Sequence, residues 1–138
     1  MVNARATIEA ALQYDVPQNN HNATALHGII ALRQGERETA QEAFAKSIGQ
    51  ADEILSKTAE YYSALDAKGL ALCGIAIVGA TQWVAPTDDA IQTFRAARKI
   101  APHAGVVKSV LRLFDELVKC DEDNILKDVR AAVEGRDV

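Results

Sequence analysis

The sequence predicts an all-α fold of about seven helices, arranged as stacked antiparallel hairpins. Three observations lead there. Apolar residues recur at i, i+3, i+4 and i+7 along most of the chain, and no segment alternates with period two over a useful length. Gly and Pro number 8 and 3 and aromatic residues make up 5%, which is too sparse for a sandwich of short strands. The third observation is an internal duplication. ALHGIIAL at 25–32 returns 46 residues later as ALCGIAIV at 71–78, and Ala40 and Phe44 return 50 residues later as Ala90 and Phe94. The change of offset puts a four-residue insertion between the two blocks. Insertions settle in turns, so each copy reads as helix, turn, helix.

Each element has its own local warrant. The leading stretch, 1–17, looks like a half-repeat, with Ala4, Ile8 and Ala11 spaced as Ala40, Phe44 and Ser47 are, and Pro17 after it. The first hairpin spans 22–55. Asn22 is placed to cap a helix over 23–33, and Gly35 to end it in the left-handed conformation. A second helix from Glu36 carries Ala40, Ala43, Phe44, Ser47, Ile48 and Ala51 on one stripe. The second hairpin spans 59–102, with an enlarged turn over 79–87. Its first helix stops near Gly79; Pro86 followed by Thr87, Asp88 and Asp89 signals the next start, and Pro102 the next stop. A terminal capping hairpin is expected over 105–135. Val107, Val110, Leu111, Phe114 and Leu117 mark one helix, and Ile125 to Val133 a last one opened by Asp121 or Asp123 and stopped by Gly135.

The whole chain of 138 residues reads as one domain, large enough to bury a core without a metal or disulfide staple. A net charge of −4 gives no general attraction for nucleic-acid phosphates or anionic lipid. Cys73 and Cys120 are too few for a disulfide framework and suit a reducing compartment. The start lacks the apolar core of a signal peptide, and the longest apolar run, 69–80, is short of the roughly 20 residues needed to span a bilayer. A cytoplasmic location is expected, with no membrane partner and no cofactor. The start enters a helical pattern at once, as a fragment of a longer chain would.

The duplicated residues resemble the tetratricopeptide repeat. A first helix with an internal Gly28, a turn at Gly35, then Ala40, Phe44 and small Ser47 follow that pattern, and Gly74, Ala90, Phe94, Ala97 and Pro102 follow it again. The repeat spacing is nearer 50 than the family's 34 residues, and the first-helix Trp of the family is missing. The resemblance implies a short right-handed α-α solenoid in which Gly28 and Gly74 permit close helix approach and Phe44 and Phe94 plug the gaps. It also implies a groove lined by the first helix of each hairpin, where Asn22, Ala25, Ile29, Arg33, Lys68, Ala71 and Ile75 fall by spacing. The phrase AARKIAPHAGVVKSVLRLFDEL at 96–117 looks similar to C-terminal helical regions of bacterial signal-transduction ATPases of the NACHT and NB-ARC type, whose nucleotide chemistry lies upstream.

Catalytic and metal motifs are absent from the sequence. There is no GxSxG, GxGxxG, P-loop or HExxH. His21 and His27 are six apart and do not share a helical face; His27 reads as a packed helix residue, and His103 as solvated. The Asp121, Asp123, Asn124 series fails the EF-hand pattern, since Ile125 occupies its fifth position. Cys73 reads as inert core. Trp83 sits in the enlarged turn, where it anchors a partner or folds back over Phe94. Between Asp89 and Asp115 there are no acids, while Arg95, Arg98, Lys99, Lys108 and Arg112 form a basic strip, the first three on the face of their helix away from Phe94. The expected function is a non-catalytic module that binds a peptide or helix of a protein partner within a larger regulatory protein. The Ala-rich leading helix is expected to stack on another copy or on upstream repeats. Two alternatives stay open. One is weak nucleic-acid binding by the basic strip. The other is a small-molecule sensor or enzyme, which needs a cavity lined by His27, Tyr61 or Tyr62 and an acid.

Overall fold

The computed structural model describes residues 17–79 and 85–135, and its regular structure is entirely helical, with six helices and no strand among those residues. The first of them is α1 (Pro17–Arg33). Asn22 therefore lies inside α1 and does not cap it. At the other end Gly35 turns left-handed at φ +80°, its N–H donates to Leu32 O at 3.0 Å, and Glu36 N–H donates to Ala31 O at 2.9 Å. This bond pair is the usual glycine stop, and it reverses the chain into α2 (Arg37–Lys57). The predicted stripe on α2, from Ala40 to Ala51, is buried at every position.

After 58–61 the chain enters α3 (Tyr62–Val78), which ends at Gly79 in the left-handed conformation. Arg37 Nη2 donates to Ile77 O at 2.9 Å and holds this end against the start of α2. Residues 80–84, with Trp83, lie outside the described residues, as does the leading half-repeat up to residue 16 and its expected stacking. α4 (Pro86–Ile100) begins with proline at its first position, after a left-handed Ala85, and carries Asp88 and Asp89 in its first turn. Thr87 is inside the helix and is not its cap.

The two hairpins, α1/α2 and α3/α4, lie side by side, with α2 packed on α3 and α1 beside α3. Phe44 of α2 is fully buried where they meet. A methyl group on Gly28 of α1 would sit 2.6 Å from its ring, and one on Gly74 of α3 would overlap the ring still more closely. Both glycines are thus needed as bare backbone, one on each side of the same phenylalanine. Phe94 of α4 is equally buried, but it faces Gly69 of α3, where a methyl group would lie 2.6 Å from the ring.

The terminal region departs from the expected capping hairpin. α5 (Ala104–Val118) does not pack on α4 but crosses back onto α1 and α3. It inserts Val110, Phe114 and Leu117 into the common core. The last helix, α6 (Val129–Glu134), is short and packs chiefly on α4. The sequence predicts helix from Ile125, but 121–128 forms turns. The Asp121 carboxylate accepts from Ile125 N–H at 3.0 Å and Leu126 N–H at 2.9 Å, and Asn124 turns left-handed at φ +56°. A side chain that satisfies these donors offers the backbone an alternative to the helix. No helix of the described residues is long and apolar enough to cross a membrane.

Candidate functional site

Because α5 covers only part of the face made by α1 and α3, a cleft of about 580 Å³ remains where the N-terminal ends of α3 and α5 meet beside α1. Its apolar walls come from Ala67 and Leu70 of α3 and from Val106, Val110 and Leu113 of α5. Its polar lining is Asn22, Tyr62, Ser63, Asp66, His103 and Ser109. Neither α3 nor α5 has a side-chain cap or an acid in its first turn. The partial positive charge of both helix ends therefore faces the cleft without a local counter-charge from those turns.

Behind the polar lining lies a knot that joins three helices. His21 of α1 is fully buried; its Nε2 is 3.1 Å from Ser63 Oγ, and its ring meets Tyr61 edge-on at 5.8 Å between centroids. Ser47 of α2 donates to the carbonyl of His21 at 2.9 Å. Asn22 Nδ2 donates to Ser63 Oγ at 2.8 Å. Burial pushes the His21 imidazole below its ordinary pKa of 6.5, so the ring is neutral at pH 7.

Below the cleft, Asp66 and Arg98 form a buried ion pair, with Arg98 Nη2 2.5 Å from both carboxylate oxygens. Only 4% of the Arg98 side chain and 6% of the Asp66 side chain is exposed. Burial pushes Asp66 up to about 6, and Arg98 opposes that push through its charge and its hydrogen bonds. Arg98 Nε and Nη1 have no hydrogen-bond partner among the described residues.

Of the seven residues expected to line a groove, only Asn22 reaches the cleft. Ala25, Ile29, Ala71 and Ile75 are buried; the last three belong to the core that includes Phe44 and Phe114. The crossing of α5 is the reason, since it occupies the face on which a groove was expected. Arg33 instead pairs with Glu116 of α5 at 3.4 Å. Lys68 pairs with Asp52 at 2.6 Å beside a second hollow of about 320 Å³ between α2, α3 and α4.

The basic strip is also revised. Arg98 does not lie on the face of α4 away from Phe94; it stands four residues after Phe94 and so shares its buried face. Arg95, Lys99, Lys108 and Arg112 are exposed, but α5 turns away from α4, so the two pairs do not share one packed surface. His27 is half-buried and does not line the cleft, whereas Tyr62 and an acid do. His103 is exposed at the start of α5. Cys73 is fully buried and its thiol is pushed up by burial, against reactivity; Cys120 is half-buried, and both are free thiols. No group of three or more His, Cys, Asp or Glu among the described residues is arranged to hold a metal.

Sequence reading misses His21, Ser63 and Asp66. His21 and Ser63 are 42 residues apart and Asp66 and Arg98 are 32 apart, and pairings of that range leave no trace in local periodicity. A polar residue on an apolar helical face, as at Asp66 within ALDAKGLAL, is the one signal the sequence offers. No family model, curated protein or solved structure matches the chain.

Proposed function

We propose that this chain is a helical-repeat interaction module of the tetratricopeptide-like kind, whose cleft takes the apolar side chains of a short partner segment. The duplicated hairpins and the two glycines around Phe44 support the repeat reading. The observation that carries the binding reading is the cleft itself, which has apolar walls from α3 and α5 and hydrogen-bonding groups in its lining. Recognition sites commonly join a broad apolar surface to a few placed polar groups. Asn22, Ser63 and His103 fix the orientation of the bound segment, and Leu70 and Val106 hold its apolar anchor. Such a module brings a partner to the larger regulatory protein that contains it.

Panning a random 12-residue peptide library against the full chain tests this. An enriched family with an apolar anchor is expected, and Val106→Arg is expected to weaken its members at least tenfold. No enriched family, or one that binds Val106→Arg and Asn22→Ala as well as the unmodified chain, would overturn the reading. The presence of Tyr62 and Asp66 in the lining of one cavity also supports the small-molecule alternative. A thermal-shift screen of apolar amines and acids addresses it: stabilisation that Val106→Arg abolishes is the expected signature, and no shift with any compound ends it.

A further inference from the structure

Ser63 is the second residue of α3, half-buried, and part of the cleft wall. Two polar neighbours lie within hydrogen-bond distance of its hydroxyl. Asn22 Nδ2, which can only donate, lies 2.8 Å from Oγ, so Oγ accepts that bond. In the tautomer that carries its proton on Nδ1, His21 accepts the Ser63 O–H at Nε2, 3.1 Å away. A serine hydroxyl aimed at a neutral imidazole is the arrangement that makes serine a nucleophile. The N-terminal end of α3 adds partial positive charge beside the place where an attacked carbonyl would become negative.

We propose that Ser63 is an acyl-acceptor site, which takes an apolar acyl group from an activated ester or thioester bound in the cleft. The acyl chain lies against Ala67, Leu70 and Val106. As the Oγ–acyl bond forms, the Ser63 proton passes to His21 Nε2. The acyl bond to the leaving oxygen or sulfur breaks, and His21 returns the proton to the departing alkoxide or thiolate. The products are acyl-Ser63 and an alcohol or thiol, with no change of oxidation state and His21 neutral again. His21 Nδ1 finds no hydrogen-bond partner among the described residues. The imidazolium formed midway thus lacks the orienting acid of a turnover site, and the acyl group is retained rather than hydrolysed quickly. The site is a stoichiometric modification site, and it stands independently of the peptide-binding proposal.

The test treats the full chain with p-nitrophenyl octanoate and, separately, with a fluorophosphonate probe, then maps modified peptides by mass spectrometry. Ser56, on α2 outside the cleft, and Ser109, on the α5 wall of the cleft, serve as internal references for helix position and for local reagent concentration. Ser63 is expected to be modified at least tenfold faster than either, and at least tenfold faster in the folded chain than in urea. Ser63→Ala removes the modification, and Asn22→Ala slows it several-fold while leaving the fold intact. Modification of Ser63 no faster than of Ser56 or Ser109, or equal in urea, overturns the proposal. His21→Gln is expected to slow it most; if that variant does not fold, the internal reference and Asn22→Ala decide.

Discussion

The two junctions on either side of α3 solve one packing problem with different chemistry. On the first, Phe44 fills the space between α1 and α3, and the polar groups that join the same helices nearer their N-terminal ends, His21, Ser47 and Ser63, are neutral. On the second, Phe94 sits against α3 at Gly69, and the polar groups beside it are a charged pair, Asp66 and Arg98. The first junction has a glycine on both sides of the ring. The second joins α3 and α4 to the six-residue α6, whose end lies over the Arg98 stem: a methyl group on Gly135 would sit 3.3 Å from Arg98 Cγ. A junction closed by full helices on both sides rests on ring-to-backbone contact. A junction closed by a short helix encloses an ion pair, and its stability depends on pH.

The largest expected effects come from the first junction. Phe44→Ala removes a fully buried ring and should cost about 3–5 kcal/mol in urea denaturation. Gly74→Ala is the sharper test. Helix propensity alone predicts a gain of roughly 1 kcal/mol, whereas overlap with the Phe44 ring predicts a loss of about 1–3 kcal/mol or more. A gain would show that the glycines are incidental to the junction. Combining Gly74→Ala with Phe44→Leu should recover part of the loss, because the smaller side chain makes room for the methyl group.

The second junction breaks through its charges. Arg98→Met leaves Asp66 buried without its partner and should cost about 3–5 kcal/mol at pH 7. Asp66→Leu with Arg98→Met should be far less damaging than the single change, since two apolar side chains leave no uncompensated charge. Thermal denaturation of the three variants measures the contrast.

The pH dependence separates the junctions further. Asp66 titrates near 6 when folded and near 3.8 when unfolded, so the folded chain holds its proton more tightly. The stabilisation from this group is fully present below about pH 3.8 and is lost as pH rises through about 6. Relative to Asp66→Asn, the unmodified chain should lose on the order of 2–3 kcal/mol between pH 4 and pH 7. His21 has the opposite shift. Its lowered pKa favours the folded state at neutral pH, and that contribution is lost as the ring becomes protonated on acidification. Equal slopes for the unmodified chain and Asp66→Asn would remove the ionic junction from the account.

How far the sequence reveals these junctions follows from the range of each interaction. The stripe on α2 and the burial of Phe44 are readable because helical period and a repeated Ala-Phe spacing are local. The stops at Gly35, Gly79 and Gly135 are readable for the same reason, since each is a single residue with φ above +70°. The role of Gly69 is not. Aligning the repeats pairs Gly74 with Gly28, but in the folded chain Gly74 serves Phe44 of the first hairpin and leaves Phe94 to Gly69. Arg98 misleads because its charge suggests the surface, whereas its position four residues after Phe94 puts it inside. The path of α5 is a choice between two apolar surfaces, α4 or the α1/α3 face, and its i, i+3, i+4 stripe fits either.

The smallest effect tests the glycine argument from the opposite side. Gly49 lies inside α2, exposed, and a methyl group built on it meets nothing within 4 Å. There the cost of glycine is the conformational freedom lost on folding, so Gly49→Ala should stabilise the chain by about 0.5–1 kcal/mol. Paired urea melts of Gly49→Ala and Gly28→Ala on otherwise identical chains should therefore move in opposite directions, although both put alanine for glycine within a helix of the first hairpin. If both stabilise, Gly28 does not need to be bare, and Phe44 has room that the packing of its ring against α1 denies. If Gly49→Ala instead destabilises while Gly28→Ala does so too, α2 has a bend at Gly49 that a methyl group straightens, and the register by which α2 delivers Phe44 to α3 depends on that bend.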